Sequence, residues 1–188
     1  MNSLKIVSAD DIPFTRWKNG GGLARDLLAW PRPHDWLVRV SVADILDDGP
    51  FSPYPGIDRW FGLLSGDGVE LQWTKAVRRM DRGRKLLHFD GALAPSCRLD
   101  GGLVRAFNVM GRRGRARLSV KPAADGSRAP EGFRWAALFV REPAELGSGQ
   151  DLRVPAWSLA WGERTDSPVR LAPGAHAWWL GFDGEAAT

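Results

Sequence analysis

Polar and apolar residues alternate along several short segments of the chain, as expected for β-strands with one buried face. The clearest segment is WLVRVSVA at 36–43, in which three valines share one face with Trp36. VELQW at 69–73 alternates in the same way. Seven more segments are strand candidates: 60–64, 85–89, 103–110, 116–120, 133–140, 157–161 and 175–182. The pattern predicts a chain that is mostly β.

Turn-forming residues separate these segments at short intervals. Examples are DGP at 48–50 and SGDG at 65–68, where aspartate, glycine and proline favour tight turns. Regular short strands divided by such turns are typical of a sandwich or barrel. Helical patterns are weak and confined to 12–17 and 141–146. The loop KPAADGSRAPEG at 121–132 separates a longer N-terminal portion from a shorter C-terminal one.

The composition is that of an ordinary globular protein, with 188 residues of which 44% are hydrophobic and 26% charged. This length suits one well-buried core or two small lobes. The sequence has no apolar run of membrane-spanning length, and its N-terminal residues lack the pattern of a signal peptide. Cys97 is the single cysteine, so it has no intrachain disulfide partner. We therefore expect a cytoplasmic protein that does not insert into membranes.

Arginine dominates the positive charge of the chain. The net charge is +4, and the 26 cations comprise 21 arginines and 5 lysines. The cations are densest in two segments, RRMDRGRK at 78–85 and RRGRAR at 112–117. Such segments are either solvated basic loops or a patch that attracts nucleic-acid phosphates. Because no aromatic residues are interleaved with them, we do not expect nucleic acid as a partner.

Known catalytic and cofactor motifs do not match the chain. In RWKNGGG at 16–22 the lysine precedes the glycines, so the segment is not a phosphate-binding P-loop. The three histidines are far apart and never form H-x-H, which gives no basis for a transition-metal site. A G-x-S-x-G nucleophile turn is absent from the sequence. The sequence therefore predicts no catalytic residue, metal or cofactor.

The polar residues of the 36–43 strand leave two interpretations open. Arg39 and Ser41 share one face, two residues apart, so both side chains could point into a barrel lumen. There, the arginine could bind a carboxylate through two hydrogen bonds. In the other interpretation Arg39 faces solvent and the valine face alone is buried. The roles of Asp58 and Arg59 are also left open by the sequence. These residues form either a local ion pair or contacts with a ligand.

Four sequence blocks together resemble the HutD/Ves family. They are WKNGGG at 17–22, VRVSVA at 38–43, DGPFSPYPGIDR at 48–59 and FNVMGRRG at 107–114, and their order and spacing match that family. The resemblance implies an all-β, cupin-type double-stranded β-helix, a two-lobed (bicupin) jelly-roll barrel with few helices. It also implies one compact unit over 1–188, with approximate lobes at 1–120 and 121–188. Members are associated with bacterial histidine utilisation or with stress responses.

The resemblance further implies a ligand pocket without a metal. Its residues, mapped by motif, are Trp17, Lys18, Asn19, Arg39, Ser41, Asp58, Arg59, Asn108, Met110 and Arg113. Arg25 and Asp26 match an arginine–acid pair of the family, whereas Ala106 stands where the family commonly has aspartate. The implied ligand is a small carboxylate of the histidine pathway, namely urocanate, N-formylglutamate or N-formiminoglutamate.

Three functions follow as hypotheses. The first is a non-enzymatic carboxylate-binding or regulatory protein that modulates histidine utilisation. An alternative is a metal-independent isomerase or hydrolase of a pathway intermediate, with Lys18 or Asp58 as acid or base. A second alternative is a basic interaction protein that contacts nucleic acid. An exposed barrel face could also support a homodimer, although no apolar stripe requires one.

Overall fold

The protein is almost entirely β in a computed structural model that describes residues 4–17, 20–83, 85–147 and 152–184. One 3₁₀ helix, Ala9–Asp11, interrupts the strands. In chain order the strands are β1 (Lys5–Ser8), β2 (Thr15–Arg16), β3 (Gly22–Trp30), β4 (Val38–Ile45), β5 (Gly49–Pro50), β6 (Ile57–Ser65), β7 (Val69–Trp73), β8 (Ala76–Met80), β9 (Leu87–Asp90), β10 (Ser96–Leu99), β11 (Val104–Arg112), β12 (Ala116–Pro122), β13 (Trp135–Val140), β14 (Ala144–Leu146), β15 (Leu152–Val154), β16 (Ser158–Glu163), β17 (Val169–Leu171) and β18 (Ala177–Gly184).

The strand predictions are confirmed and the two helix predictions are wrong. Each predicted strand overlaps an observed one, and 69–73 agrees at both ends. Residues 12–17 contain β2, which pairs with β3 so that Thr15 lies opposite Ala24. Residues 141–146 contain β14, which lies between β15 and β17. Both segments join sheets because their backbone groups pair with other strands: β2 pairs with the nearby β3, and β14 pairs with β15 and with the more distant β17.

The chain forms two compact units, Pro13–Gly114 and Met1–Ile12 with Arg115–Thr188. The second unit has a five-stranded sheet in the order β1-β16-β13-β18-β12 and a three-stranded sheet in the order β15-β14-β17. Leu138, Val154 and Trp179 belong to the buried core that joins these sheets. The first strand of the chain is part of this unit because it pairs with β16, with Lys5 opposite Trp161.

The unit at 13–114 also has two antiparallel sheets. Six strands lie in the order β2-β3-β4-β11-β6-β9, and four lie in the order β5-β10-β7-β8. Its core joins Phe61 and Leu63 of the larger sheet to Val69 and Leu71 of the smaller one. Two facing sheets with alternating inward residues are the arrangement that the sequence pattern predicted. No helix in the described part of the chain is long and apolar enough to cross a membrane.

Candidate functional site

A cavity of about 450 Å³ lies within the 13–114 unit. Its walls come from one face of the six-stranded sheet and from the proline-containing segment that follows β5. The lining residues are Thr15, Arg16, Trp17, Ala24, Arg39, Ser41, Ala43, Phe51, Ser52, Pro53, Tyr54, Arg59, Asn108 and Met110. Three arginines and several aromatic rings thus surround one space, a combination suited to a small organic anion.

Strand register explains how distant residues meet on this cavity wall. Met110 of β11 lies opposite Arg39 of β4 and also opposite Arg59 of β6. Residues opposite one another in a sheet share a face, so these three side chains form a single row. Asn108 lies in the next row, opposite Ser41. Polar groups from three strands are therefore placed side by side.

Arg59 is the most unusual group in the cavity. The residue is only 5% exposed, and its Nη2 donates a hydrogen bond of 2.9 Å to Oδ1 of Asn108. Its Nε and Nη1 atoms are buried without a hydrogen-bond partner among the described residues. Burial lowers the pKa of Arg59 to about 10, an effect that Tyr54 opposes and Arg39 increases. A buried guanidinium without a carboxylate is costly to the fold.

Aromatic rings surround the Arg59 guanidinium in place of carboxylates. Its central carbon lies 5.2 Å from the ring centre of Phe51 and 5.2 Å from that of Phe89. The ring of Tyr54 is 5.8 Å away. The negative faces of these rings partly offset the cost of burying the charge. They supply no hydrogen-bond acceptors in the plane of the guanidinium, so its capacity to bind a carboxylate is retained.

Arg39 differs from Arg59 because it has a carboxylate partner. Its Nε and Nη2 donate to the two oxygens of Asp26 at 2.9 and 3.0 Å. The pair forms because Asp26 of β3 lies opposite Ser41, on the cavity face of the sheet. Arg39 and Ser41 both line the cavity, and the valine face of β4 is buried as well. Both faces of this strand are therefore covered.

Trp17 reaches the cavity because a glycine lies beside it. A β-carbon at Gly22 would lie 2.9 Å from the Trp17 ring and 2.8 Å from the Asp44 carbonyl oxygen. The Trp17 backbone N–H also donates to the carbonyl of Gly22 at 2.9 Å. Held in this way, the indole meets the edge of Phe51, with ring centres 6.1 Å apart. The absence of a side chain at Gly22 thus provides space for an aromatic wall.

Six of the ten predicted site residues line this cavity: Trp17, Arg39, Ser41, Arg59, Asn108 and Met110. Lys18 and Asn19 lie outside the described residues. Asp58 and Arg113 are not brought to the cavity, because Asp58 adjoins Arg59 on a strand and therefore points to the opposite face. Arg113 donates to Asp58 at 2.7 Å and to Asp90 at 3.2 Å. The hydrogen bond from Arg113 lowers the pKa of Asp90.

Sequence reasoning missed two parts of the wall. Thr15 and Arg16 belong to β2, a two-residue strand in a segment whose pattern suggested a helix. Phe51 and Tyr54 lie in the 48–59 block, of which only the last two residues were assigned to the pocket. The aromatic residues beside the prolines of this block were the signal that could have identified them.

A second charged cluster lies on the face of the sheet opposite the cavity. Asp44 accepts hydrogen bonds from Arg25 Nη1 at 2.8 Å and from Arg105 Nε at 2.6 Å. Burial alone would raise the pKa of Asp44, but the hydrogen bonds and charges of the two arginines lower it. Arg25 and Asp26 thus have separate partners, since neighbouring residues of a strand point to opposite faces.

Cys97 is part of the core of this unit and not of the cavity. It is 3% exposed, and burial raises the pKa of its thiol to about 12, with further contributions from Asp48 and Asp100. A thiol with this pKa stays protonated at neutral pH and is a poor nucleophile.

Comparison with known proteins identifies relatives over most of the chain. The HutD family model matches residues 9–178. An uncharacterized 21.2 kDa protein in the hutC 3′ region of Pseudomonas putida is 36% identical over 124 residues, a match that covers 63% of this chain and 64% of that protein. This chain therefore spans less than two thirds of that relative. Protein Ves of Cronobacter sakazakii is 33% identical over 121 residues, covering 64% of this chain and 67% of Ves.

Solved structures show the same fold. HutD from Pseudomonas fluorescens SBW25 aligns with a TM-score of 0.84 and 21% identity over 98% of this chain and 100% of that one. A cupin 2 conserved barrel domain protein from Leptotrichia buccalis aligns with a TM-score of 0.59 and 11% identity over 98% of each chain. These likenesses confirm the predicted all-β, cupin-type fold.

Proposed function

Because the chain belongs to the HutD family, as its four sequence blocks predicted, and has a cupin-type fold, we propose that it binds a small carboxylate metabolite in the cavity of the 13–114 unit. In this proposal it acts as a non-enzymatic binding or regulatory protein. The occupied and empty forms would differ in how they influence histidine utilisation.

The observation that carries the proposal is the incomplete pairing of Arg59. Its guanidinium is buried, it has one hydrogen bond to Asn108, and it has no ion pair with a described carboxylate. A ligand carboxylate would supply both the missing countercharge and hydrogen-bond acceptors. Hydrogen bonds between guanidinium and carboxylate are among the strongest in proteins, particularly where water is excluded. Such a ligand would offset the cost of burying this cation.

The remainder of the wall supports a ligand with a compact apolar body. Trp17 and Phe51 meet edge to face on one side, and Met110 lies between the two arginines on the sheet. Ser41 and Asn108 offer neutral polar groups in the adjacent row. The cavity of about 450 Å³ suits a metabolite of modest size.

The names of two relatives support the proposed role in histidine utilisation. One relative is described by its position beside hutC, and one structural neighbour is HutD itself. Urocanate, N-formylglutamate and N-formiminoglutamate are accordingly the proposed ligands, since each has a carboxylate for Arg59. We propose a cytoplasmic location for this function, since the chain has a single cysteine and disulfide-rich sequences are typical of oxidising compartments.

Isothermal titration calorimetry with these three acids tests the proposal. We expect at least one to bind, and Arg59→Met to weaken binding about 100-fold, as loss of charge-assisted hydrogen bonds in a desolvated site implies. Arg113→Met is the matched control, because it removes an arginine that does not line the cavity. Its affinity should stay within about twofold of the wild type, since exposed ion pairs contribute little.

Failure of all three acids to bind, or equal binding by Arg59→Met, would contradict the carboxylate site. Nuclear magnetic resonance spectra of each acid, incubated with the protein, provide a second measurement. Conversion of any acid to a product would contradict the non-enzymatic part of the proposal and favour the isomerase or hydrolase alternative.

A further inference from the structure

The more highly charged of the two basic segments, residues 75–85, is exposed and lies outside the cavity. Residues 75–85 contain six cations and one anion, a net charge of +5, whereas the whole chain carries +4. The remaining residues therefore have a combined net charge of −1. Arg84 within this segment lies outside the described residues. Most of the other cations flank or belong to β8, so the fold presents this charge along one strand.

β8 is an edge strand with unused backbone groups. It lies at one end of the four-stranded sheet and, in the described part of the chain, its ladder partner is β7 alone. Residues 76–79 are exposed, and Val77 retains 50% of its accessible surface. Half of the N–H and C=O groups of such a strand point away from the sheet and are available to another strand.

The cations along this edge are mostly without acidic partners. Arg79 pairs with Asp100 at 3.2 Å, and its side chain is still 72% exposed. Lys75, Arg78 and Arg82 have no ion pair with any residue that the structure describes. Arg78 and Arg79 point to opposite faces because they are consecutive on the strand. Positive charge therefore borders the free edge on both sides.

We propose that the free edge of β8 binds an extended acidic peptide segment of a partner protein as an additional antiparallel or parallel strand. Backbone hydrogen bonds would provide affinity, and carboxylates opposite Arg78 and Arg79 would provide specificity. A second copy of this chain does not fit, since two such edges would bring like charges together. Residues 75–85 include no aromatic side chain, which single-stranded nucleic acids use for base stacking.

The test uses the full chain and fluorescence anisotropy at about 0.15 M salt, where long-range attraction between exposed charges is screened. The probe is a fluorescein-labelled ten-residue peptide of valine and glutamate with glutamates on both faces of the strand. A peptide of the same sequence with alternate N-methylated residues keeps the charge and removes backbone donors. A single-stranded oligonucleotide with the same number of negative charges is the third probe.

We expect the first peptide to bind and the N-methylated peptide to bind at least about tenfold more weakly, since strand addition depends on backbone hydrogen bonds. Arg78→Glu with Arg82→Glu should weaken peptide binding by at least about tenfold through charge reversal. The matched control is Lys121→Glu with Arg153→Glu, which changes the net charge equally at exposed positions on β12 and β15. This control should alter affinity by less than about twofold.

Several outcomes would overturn the inference. If the first peptide does not bind, the arginines serve to keep the edge from pairing with other strands. Equal binding of the N-methylated peptide, or equal weakening by the control variant, would mean that charge acts without strand addition. Tighter binding of the oligonucleotide than of the peptide would identify a nucleic-acid surface. Binding of carboxylates in the cavity is measured separately, so its result does not affect this one.

Discussion

The buried charges on the two faces of the six-stranded sheet differ in whether they have oppositely charged partners. On one face a single carboxylate, Asp44, accepts hydrogen bonds from two guanidinium groups, Arg25 and Arg105. On the cavity face Arg59 is buried to a similar extent as Asp44 and has no described carboxylate partner. Both positions lie on strands of the same sheet, so the difference arises from side-chain placement and not from depth in the fold. Compensated charge stabilises the fold, whereas uncompensated charge remains available to a ligand.

The pKa shifts express the same contrast. The pKa of Asp44 is lowered, because its two arginines outweigh the cost of burial and favour the charged form. The pKa of Arg59 is also lowered, to about 10, but here burial disfavours the charged form. A lowered pKa thus has opposite meanings for the two residues. For Asp44 it shows that the charged form is stabilised by its partners, whereas for Arg59 it shows that the charged form is destabilised by burial.

The largest effect is expected from breaking the compensated region. Asp44→Asn removes the carboxylate and leaves Arg25 and Arg105 close together, so we expect the free energy of unfolding to fall by about 3 kcal/mol. Urea denaturation followed by tryptophan fluorescence measures this loss. Asp166→Asn is the control, because this aspartate is 75% exposed where it pairs with Arg164, and its removal should cost less than about 1 kcal/mol.

The difference in unfolding free energy between the wild type and Asp44→Asn should depend on pH, which gives a second test of the role of Asp44. Its pKa in the folded state lies below the usual 3.8, so the folded state binds fewer protons than the unfolded state in that range. The stabilisation is complete above pH 3.8 and is lost as the pH falls through the lower, folded pKa. The stability gap between wild type and Asp44→Asn should therefore narrow on acidification. A gap that widens in acid would contradict this account.

A smaller effect is expected from placing a carboxylate near Arg59, which has no carboxylate partner among the described residues. Ala106 is fully buried on the cavity face, two positions from Asn108 on β11 and so about 7 Å along the strand. In Ala106→Asp the new carboxylate would compensate Arg59 and repel an anionic ligand. We expect calorimetry to show carboxylate affinity reduced about tenfold.

Ala106→Asn is the matched control for that variant, since it has nearly the same shape and no charge. If the asparagine variant loses as much affinity as the aspartate variant, the effect is steric and the charge argument is wrong.

The smallest effect is a gain in stability. Arg59→Met replaces an unpaired buried cation with an apolar side chain of similar length, and we expect the free energy of unfolding to rise by about 1 kcal/mol. The loss of one hydrogen bond to Asn108 limits the gain. Arg113→Met should have the opposite sign and a smaller magnitude, because it removes an exposed cation from between Asp58 and Asp90. If Arg59→Met instead lowers the free energy of unfolding, Arg59 stabilises the fold.

Much of the fold followed from local pattern, and the failure to predict β3 has a local cause. The alternation at 36–43 and 69–73 identified β4 and β7. The nine-residue strand β3 was missed because GLARDLLAW does not alternate, and its register shifts between Asp26 and Leu28. The alternation of β4 also could not decide which face lines the cavity, because both faces are buried.

The all-β class, the family and the shared faces of the alternating strands could be predicted, because strand periodicity and motif order are read directly along the chain. Which charges meet depends instead on how the strands are arranged in space. Arg59 bonds to Asn108 across 49 positions, and Arg105 bonds to Asp44 across 61. Such pairings depend on strand order and register in the sheet, which bring together residues whose separation along the chain carries no local signal.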